Sequence, residues 1–212
     1  PRAPVTAFLL IAALASASPA TAAGLVADGD RHYAARVRLS GTTWSAVPAE
    51  VEAALDSYRA TLASDPANLD AGIGVMRTLE FKGSQETDKS MCQPVYIEAV
   101  RVGMALEAAG APPAHLSYWL AVSWGRWGEC HGKLKAAREG VADKVRKYAE
   151  KAIALDPGYQ GAAPLIVLGR LHYEAPYIPF LLTWPSDRKA EECLRRALKL
   201  VPDNKTAGLF LA

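Results

Sequence analysis

The sequence predicts an all-α fold in which helical hairpins repeat about every 45 residues and stack into a solenoid of about four units. Helix-ending phrases recur with a proline at intervals of 46, 45 and 45 residues, at Pro66, Pro112, Pro157 and Pro202. Between the prolines, apolar residues recur every three to four positions, as in amphipathic helices, and we identify no β-strand. Half of the 212 residues are hydrophobic and the formal net charge is +2. This composition excludes a disordered chain and argues against a nucleic-acid-binding protein.

The periodicity predicts eight to ten helices that pair as antiparallel hairpins. The helix near the C-terminus shows the pattern most clearly, because Ala190, Leu194 and Ala197 form one apolar stripe. The predicted helices cover residues 25–38, 49–64, 68–82, 90–108, 114–131, 141–155, 159–174 and 187–200, with a short helix from residue 204.

Two similar phrases define the repeat more closely. The segments 124–127 (WGRW) and 168–171 (LGRL) lie 44 residues apart, and each precedes an alanine-rich helix that ends at a proline. This order is the pattern of the tetratricopeptide repeat (TPR), which takes about 34 residues, so each unit here carries about ten more. We expect the additional residues in the polar segment 81–90, the basic segment 130–140 and the apolar segment 175–186.

The apolar segment 175–186 (APYIPFLLTWPS) is unusual, because connections between helices are normally polar. Its three prolines prevent a continuous helix. The segment either folds back over the solenoid or offers an apolar surface to a partner, and we favour the first interpretation.

Both ends of the chain carry signals of their own. An apolar stretch at 7–18 precedes a small-residue motif at 20–22, which predicts a signal peptide at 1–22 and a single solenoid domain at 23–212. We therefore expect a periplasmic or secreted protein that has no membrane span after cleavage, and no cysteine follows the apolar stretch to carry a lipid anchor. The last residues read as a helix that stops midway, so we expect the C-terminus to be truncated.

Several phrases together resemble a known family. The segments 81–83, 118–127, 141–157 and 167–173, followed by Pro176, are similar to successive segments of the periplasmic T component associated with TRAP transporters, a TPR-type lipoprotein. The resemblance implies a central hydrophobic cavity, oligomers with aligned pores and association with a periplasmic solute-binding protein. The chain departs from this family in lacking the lipidation cysteine.

The helix 114–131 carries most of the candidate binding residues. Its aromatic side chains either pack between repeats or line a cavity. Arg126 and Arg170 follow the repeated glycine at equivalent positions, so together they either grip a carboxylate or make structural pairs with a buried glutamate or with helix carbonyls. The candidate ligand- or partner-binding residues are Tyr118, Trp119, Ser123, Arg126, Trp127, Arg170 and Tyr173.

The cysteines of an exported protein are candidates for pairing. Cys92 and Cys130 begin and end one predicted antiparallel hairpin, so their side chains should meet in a disulfide. Cys193 lies on an apolar stripe and reads as a buried thiol. A metal site formed by Cys92, Cys130 and His131 is the alternative, but it lacks the C-x-x-C spacing of structural zinc.

No enzyme motif is found in the sequence, and the scattered histidines read as packing or surface residues. We predict a non-enzymatic binding or adaptor module without a cofactor. Its interior either holds a small apolar or carboxylate ligand, as part of a TRAP-type system, or the protein is a general scaffold that binds another protein on its concave face. A closed cavity near Trp119, Trp127 and Arg170 would favour the first, and a filled interior with an open groove the second.

Overall fold

The computed structural model describes residues 19–110 and 112–211, which form ten α-helices and one β-hairpin. The elements in chain order are α1 Pro19–Ala34, β1 Val37–Ser40, β2 Thr43–Ala46, α2 Pro48–Ser64, α3 Leu69–Ser84, α4 Lys89–Ala109, α5 Ala114–His131, α6 Lys133–Arg138, α7 Val141–Leu155, α8 Tyr159–Glu174, α9 Asp187–Leu200 and α10 Lys205–Leu211. Most of the predicted signal segment lies outside the described residues, and its predicted cleavage point falls in the first turns of α1. No helix in the described ranges is long and apolar enough to cross a membrane.

The helices pair as the repeat predicts. The hairpins α1–α2, α3–α4, α5–α7 and α8–α9 form four units, and α10 packs on α8 and α9. The first helices of successive units also lie side by side, as α1, α3, α5 and then α8. This arrangement confirms the predicted all-α, TPR-like solenoid of helical hairpins.

The turns between units share a proline and a capping residue. Asn68 caps α3 by accepting a hydrogen bond from the backbone N–H of Ala71 at 3.0 Å, and Asn204 accepts one from Ala207 at 2.9 Å before α10. In both turns a proline stands two residues ahead of the asparagine, which stops the preceding helix. Gly158 occupies the matching place before α8, and α8 begins there with left-handed backbone at residues 160–162.

The prediction that the chain contains no strand was wrong between α1 and α2. The helix predicted at 25–38 ends at Ala34, and β1 and β2 follow as an antiparallel hairpin in which Leu39 faces Trp44. The segment 37–46 alternates apolar and polar residues, and Gly41 turns the chain at φ +61°. An alternation of only four residues on each strand is easily missed in a helical background.

The other predicted helices agree with the structure to within two residues at each end. The residues that each unit carries beyond a plain TPR adopt different structures in different units. The polar segment 81–90 is absorbed largely into longer ends of α3 and α4, and the basic segment 130–140 contains the short helix α6, whose Ala136 and Ala137 are buried.

One part of the apolar segment 175–186 folds back onto the solenoid, and another part stays exposed. Leu182 is buried, and the indole N–H of Trp184 donates to Asp143 at 2.9 Å, so this half folds back onto the solenoid. Tyr177, Phe180 and Leu181 remain exposed at the tip. The fold-back that we favoured therefore describes the second half of the segment only.

The core begins where Tyr58 of α2 fills the space between α1 and α3. Its ring is fully buried, and Gly29 and Gly74 allow the flanking helices to approach it, since a Cβ at either glycine would lie 2.5 Å from the ring. The core continues through the hairpins as one cluster, and a second cluster joins α8, α9 and α10.

Candidate functional site

A groove lies between α5 and α8, bounded also by α7 and by parts of the connections. It encloses about 600 Å³. Tyr118, Val122 and Gly125 of α5 line it at helical spacing, and Val167 and Leu171 of α8 line the opposite wall. We call it the α5–α8 groove.

Ion pairs cross from helix to helix along the same face. We call this row the charge ladder, and it consists of Glu80, Arg126, Glu129, Arg170 and Glu174. Arg126 of α5 donates to Glu80 of α3 at 2.9 Å and to Glu129 on its own helix at 3.2 Å. Arg170 of α8 donates to Glu174 at 2.8 Å and lies 3.7 Å from Glu129. Each arginine is thus matched by carboxylates, and the ladder is close to neutral.

The environment fixes the charge states of the groove. Burial lowers the pKa of the Arg126 guanidinium, but the Glu129 and Glu80 carboxylates outweigh burial and hold this pKa above its ordinary value. Burial raises the pKa of the Tyr118 hydroxyl to about 12. At neutral pH the groove therefore presents a neutral phenol beside a compensated guanidinium.

The structure brings together four of the seven predicted site residues. Tyr118, Trp119, Arg126 and Arg170 line the groove, although Trp119 is only 8% exposed and also packs into the core. Arg126 and Arg170 pair with glutamates, as the alternative to a carboxylate grip expected, but Glu80 is only partly buried and Glu174 is exposed. A ligand carboxylate at either arginine would therefore compete with a glutamate for the same positive charge.

The other three predicted residues lie elsewhere. Trp127 is buried in the core and stacks on the His131 ring at 4.0 Å. Ser123 is buried and is not among the residues that line the groove. Tyr173 is 68% exposed beyond the groove, near the end of α8. The aromatic helix therefore has one face in the core and one in the groove.

The cysteines are arranged as the helical hairpin predicts. A disulfide joins Cys92 to Cys130, with their Cα atoms 6.3 Å apart, and Cys193 is a buried free thiol. His131 contacts Glu139 at 2.9 Å, so this histidine has an acidic partner that its sequence position did not indicate. Within the described residues, no three potential metal-ligating side chains cluster together.

Sequence reasoning missed the acidic half of the charge ladder. Glu129 follows Arg126 by three residues, Glu174 follows Arg170 by four, and Glu80 belongs to the preceding unit. The repeated spacing of arginine and glutamate was a usable signal. Gln160 and Asn204 also line the groove. Their positions depend on the left-handed turn of α8, where the Asn204 amide donates to the Gly161 carbonyl at 2.7 Å.

A smaller cavity of about 240 Å³ lies between α7, α8 and α9 and is lined by His172 and Cys193. His172 is buried, and its ring packs edge-on against Trp184 at 5.2 Å. Burial lowers the pKa of His172, the charges of Lys189 and Arg146 lower it further, and Glu150 opposes them.

This shift predicts a pH-dependent stability. Because the folded-state pKa of His172 lies below its unfolded value of about 6.5, acid protonates the unfolded chain first. The free energy of unfolding should therefore fall as the pH drops from about 6.5 towards the folded-state pKa. Urea unfolding across this pH range should show that His172→Asn loses less of its free energy of unfolding than the wild type does. The prediction would be contradicted if the free energy of unfolding fell equally steeply with pH in the two proteins.

Comparison with known proteins gives a match at the level of fold. No protein-family model matches the chain, and no curated protein matches its sequence. A thermophilic TPR protein from Thermus thermophilus has a similar solved structure, with a TM-score of 0.56 and 16% identity over 77% of this chain and 72% of that one. YrrB, a TPR protein with an unusual peptide-binding site, aligns at a TM-score of 0.27 and 20% identity over 77% of this chain and 84% of that one. Together with the hairpin architecture, the match to the Thermus protein shows that this chain has a TPR-like helical repeat fold.

Proposed function

We propose that the protein is a non-enzymatic binding module whose α5–α8 groove holds a segment of a partner protein. The observation that carries this proposal is the groove itself, which is open, about 600 Å³ in volume and continuous with the face formed by the first helices of the units. Solenoids of this kind use such surfaces for binding. The interior behind the groove is filled by Trp119, Trp127 and Leu120, which favours the scaffold alternative of the sequence analysis.

The chemistry of the groove defines the segment that fits it. The floor contributes Tyr118, Val122 and Leu171, and the charge ladder beside it is internally compensated. A strongly acidic segment would find no uncompensated arginine there. A segment that presents apolar side chains, with few charges of its own, fits this surface best.

The volume of the groove favours a second candidate, a small apolar ligand. Small-molecule sites typically enclose about 300–1,000 Å³, and the α5–α8 groove lies in this range. A carboxylate ligand fits less well, because Arg126 and Arg170 already bind glutamates.

We further propose that the protein acts outside the cytoplasm. The Cys92–Cys130 disulfide and the predicted signal peptide at 1–22 support this location. Association with a TRAP-type system, a solute-binding protein as the partner, and oligomers rest on the sequence resemblance alone.

Filling the groove tests the proposal. At Gly125 an added Cβ would meet only Val145, at 3.9 Å, so Gly125→Leu should fold normally while its side chain occupies the groove. We expect occupancy by a partner or ligand to fall about tenfold or more, as loss of a central contact predicts. Native mass spectrometry under non-reducing conditions would measure this, and a ligand of small mass released on denaturation would identify the second candidate.

Gly24→Leu is the matched control, because a Cβ at Gly24 meets no atom within 4 Å and the residue lies on α1, outside the groove. This variant should retain the occupancy of the wild type. Equal occupancy in Gly125→Leu and Gly24→Leu would exclude the α5–α8 groove as the binding site.

A further inference from the structure

The connections between the helices fall on two opposite edges of the solenoid. In each unit the first helix runs towards one edge, and the connection there leads into the second helix. Three of these connections contain the hairpin, α6 and the apolar segment. We call this edge the insert edge. It comprises the connections 35–47, 85–88, 132–140 and 175–186.

Neighbouring parts of the insert edge touch each other or the helix ends beside them. The Arg36 guanidinium lies over the Phe81 ring at 5.0 Å, which ties the base of the hairpin to α3. Trp184 donates to Asp143 in the first turn of α7, and Lys133 and Pro176 line one cavity. These contacts anchor the hairpin to α3 and the apolar segment to α7, so both insertions are held against the solenoid.

The insert edge exposes large apolar side chains at its tips. Leu39 and Trp44 form one cross-strand pair on the hairpin, exposed by 51% and 65%, and Leu134 of α6 is 54% exposed. Phe180 is fully exposed at the tip of the apolar segment, beside exposed Tyr177. The hairpin and the apolar segment thus each present large apolar side chains to the surroundings at their tips.

The two edges also differ in charge. The three longer connections of the insert edge contain five basic residues and one acidic residue, and the short connection contains two acidic residues. The connections at the opposite edge are 65–68, 156–158, 201–204 and the described residues 110 and 112–113, and they contain three aspartates and no basic residue. The two edges are therefore polarised in charge, with the basic residues on the insert edge and the aspartates on the opposite edge.

We propose that the insert edge docks on the surface of an anionic lipid bilayer. Aromatic and aliphatic tips enter the interfacial region, and basic residues between them bind anionic headgroups. A bilayer can bind several separate tips at the same time, because a lipid surface needs no shape that is complementary to the protein. A protein partner is less suited, because the exposed cations next to the tips include Lys133 and Lys135, and lysine is depleted in protein interfaces. This inference is independent of what the α5–α8 groove binds.

Vesicle binding by the full chain tests the proposal. We expect sedimentation with vesicles of phosphatidylcholine and phosphatidylglycerol in equal parts, and weak sedimentation with phosphatidylcholine alone. Trp44→Ser with Phe180→Ser should lower the affinity for anionic vesicles about tenfold. Lys135→Glu with Arg138→Glu should have an effect of similar size, and added salt should weaken binding by the wild type.

A control pair stands at the opposite edge. Leu155 and Leu200 are exposed by 56% and 50%, so Leu155→Ser with Leu200→Ser also replaces two exposed apolar side chains and should leave the affinity unchanged. Hydrogen exchange should also show protection at 37–46 and 133–138 when vesicles are added, and none at 156–158.

Two results would overturn the proposal. One is failure of the wild type to bind anionic vesicles, which would leave a protein as the partner of the exposed tips. The other is equal binding by the wild type and both insert-edge variants, which would assign membrane affinity to another part of the chain, including the apolar stretch at 7–18.

Discussion

Replacing Tyr58 with alanine is expected to lower the free energy of unfolding by about 3–5 kcal/mol. The ring is fully buried between Gly29 and Gly74, so its removal leaves a cavity between α1, α2 and α3 that helices held by glycine contacts cannot easily close. The Tyr58 hydroxyl also donates to Asp30 at 2.7 Å and accepts from Arg77 at 2.6 Å. Urea unfolding followed by circular dichroism would measure the change.

Two controls separate the ring from its hydroxyl and from tyrosine in general. Tyr58→Phe keeps the ring, and the Arg77–Asp30 pair remains, so we expect a loss of only about 1 kcal/mol. Tyr173→Ala removes an exposed tyrosine from α8 and should change stability by less than about 0.5 kcal/mol. A Tyr58→Ala protein as stable as Tyr173→Ala would contradict the packing described for the first two units.

Removing the disulfide is the second large effect. The Cys92–Cys130 bridge spans 38 residues and joins the N-terminal end of α4 to the C-terminal end of α5. Closing a loop of this length lowers the conformational entropy of the unfolded chain. The chain-entropy model gives a resulting stabilisation of the native protein of about 4 kcal/mol. We expect Cys92→Ala with Cys130→Ala to lose about this amount in urea unfolding under oxidising conditions.

Reductant provides the internal comparison. It should destabilise the wild type to the level of the double variant and leave the double variant unchanged, since Cys193 is a buried free thiol. The same unfolding midpoint for the wild type with and without reductant would show that the bridge does not stabilise the native protein.

The helices were predictable because their signals are local. The bounds of α5, α7, α8 and α9 agree with the sequence prediction, since each has a regular apolar stripe and a proline, glycine or serine near its ends. The hairpin at 37–46 was not predicted, because two four-residue strands carry a weak signal. The left-handed start of α8 was also missed, because Gln160 and Ala162 rarely adopt positive φ.

The site was predictable only in part, because it depends on how units align. Tyr118 was found as an aromatic residue of the helix 114–131 and Arg126 from its repeated phrase, and both line the groove. Which side of α5 faces the core was harder to infer, since aromatic residues surround the helix; Trp127 proved to be buried. The partner of Arg126 is Glu80, 46 residues away, and that pairing follows from the stacking of α3 on α5 rather than from local sequence.

The central claim, that the α5–α8 groove binds a polypeptide, is tested most directly by photo-crosslinking. A photoreactive amino acid would replace Val122 in the groove or, as the control, Arg101 on the exposed face of α4. After irradiation of cells that express the protein, we expect the Val122 position to form a defined polypeptide adduct and the Arg101 position to form none. Absence of an adduct at Val122, or the same adduct at both positions, would contradict the claim.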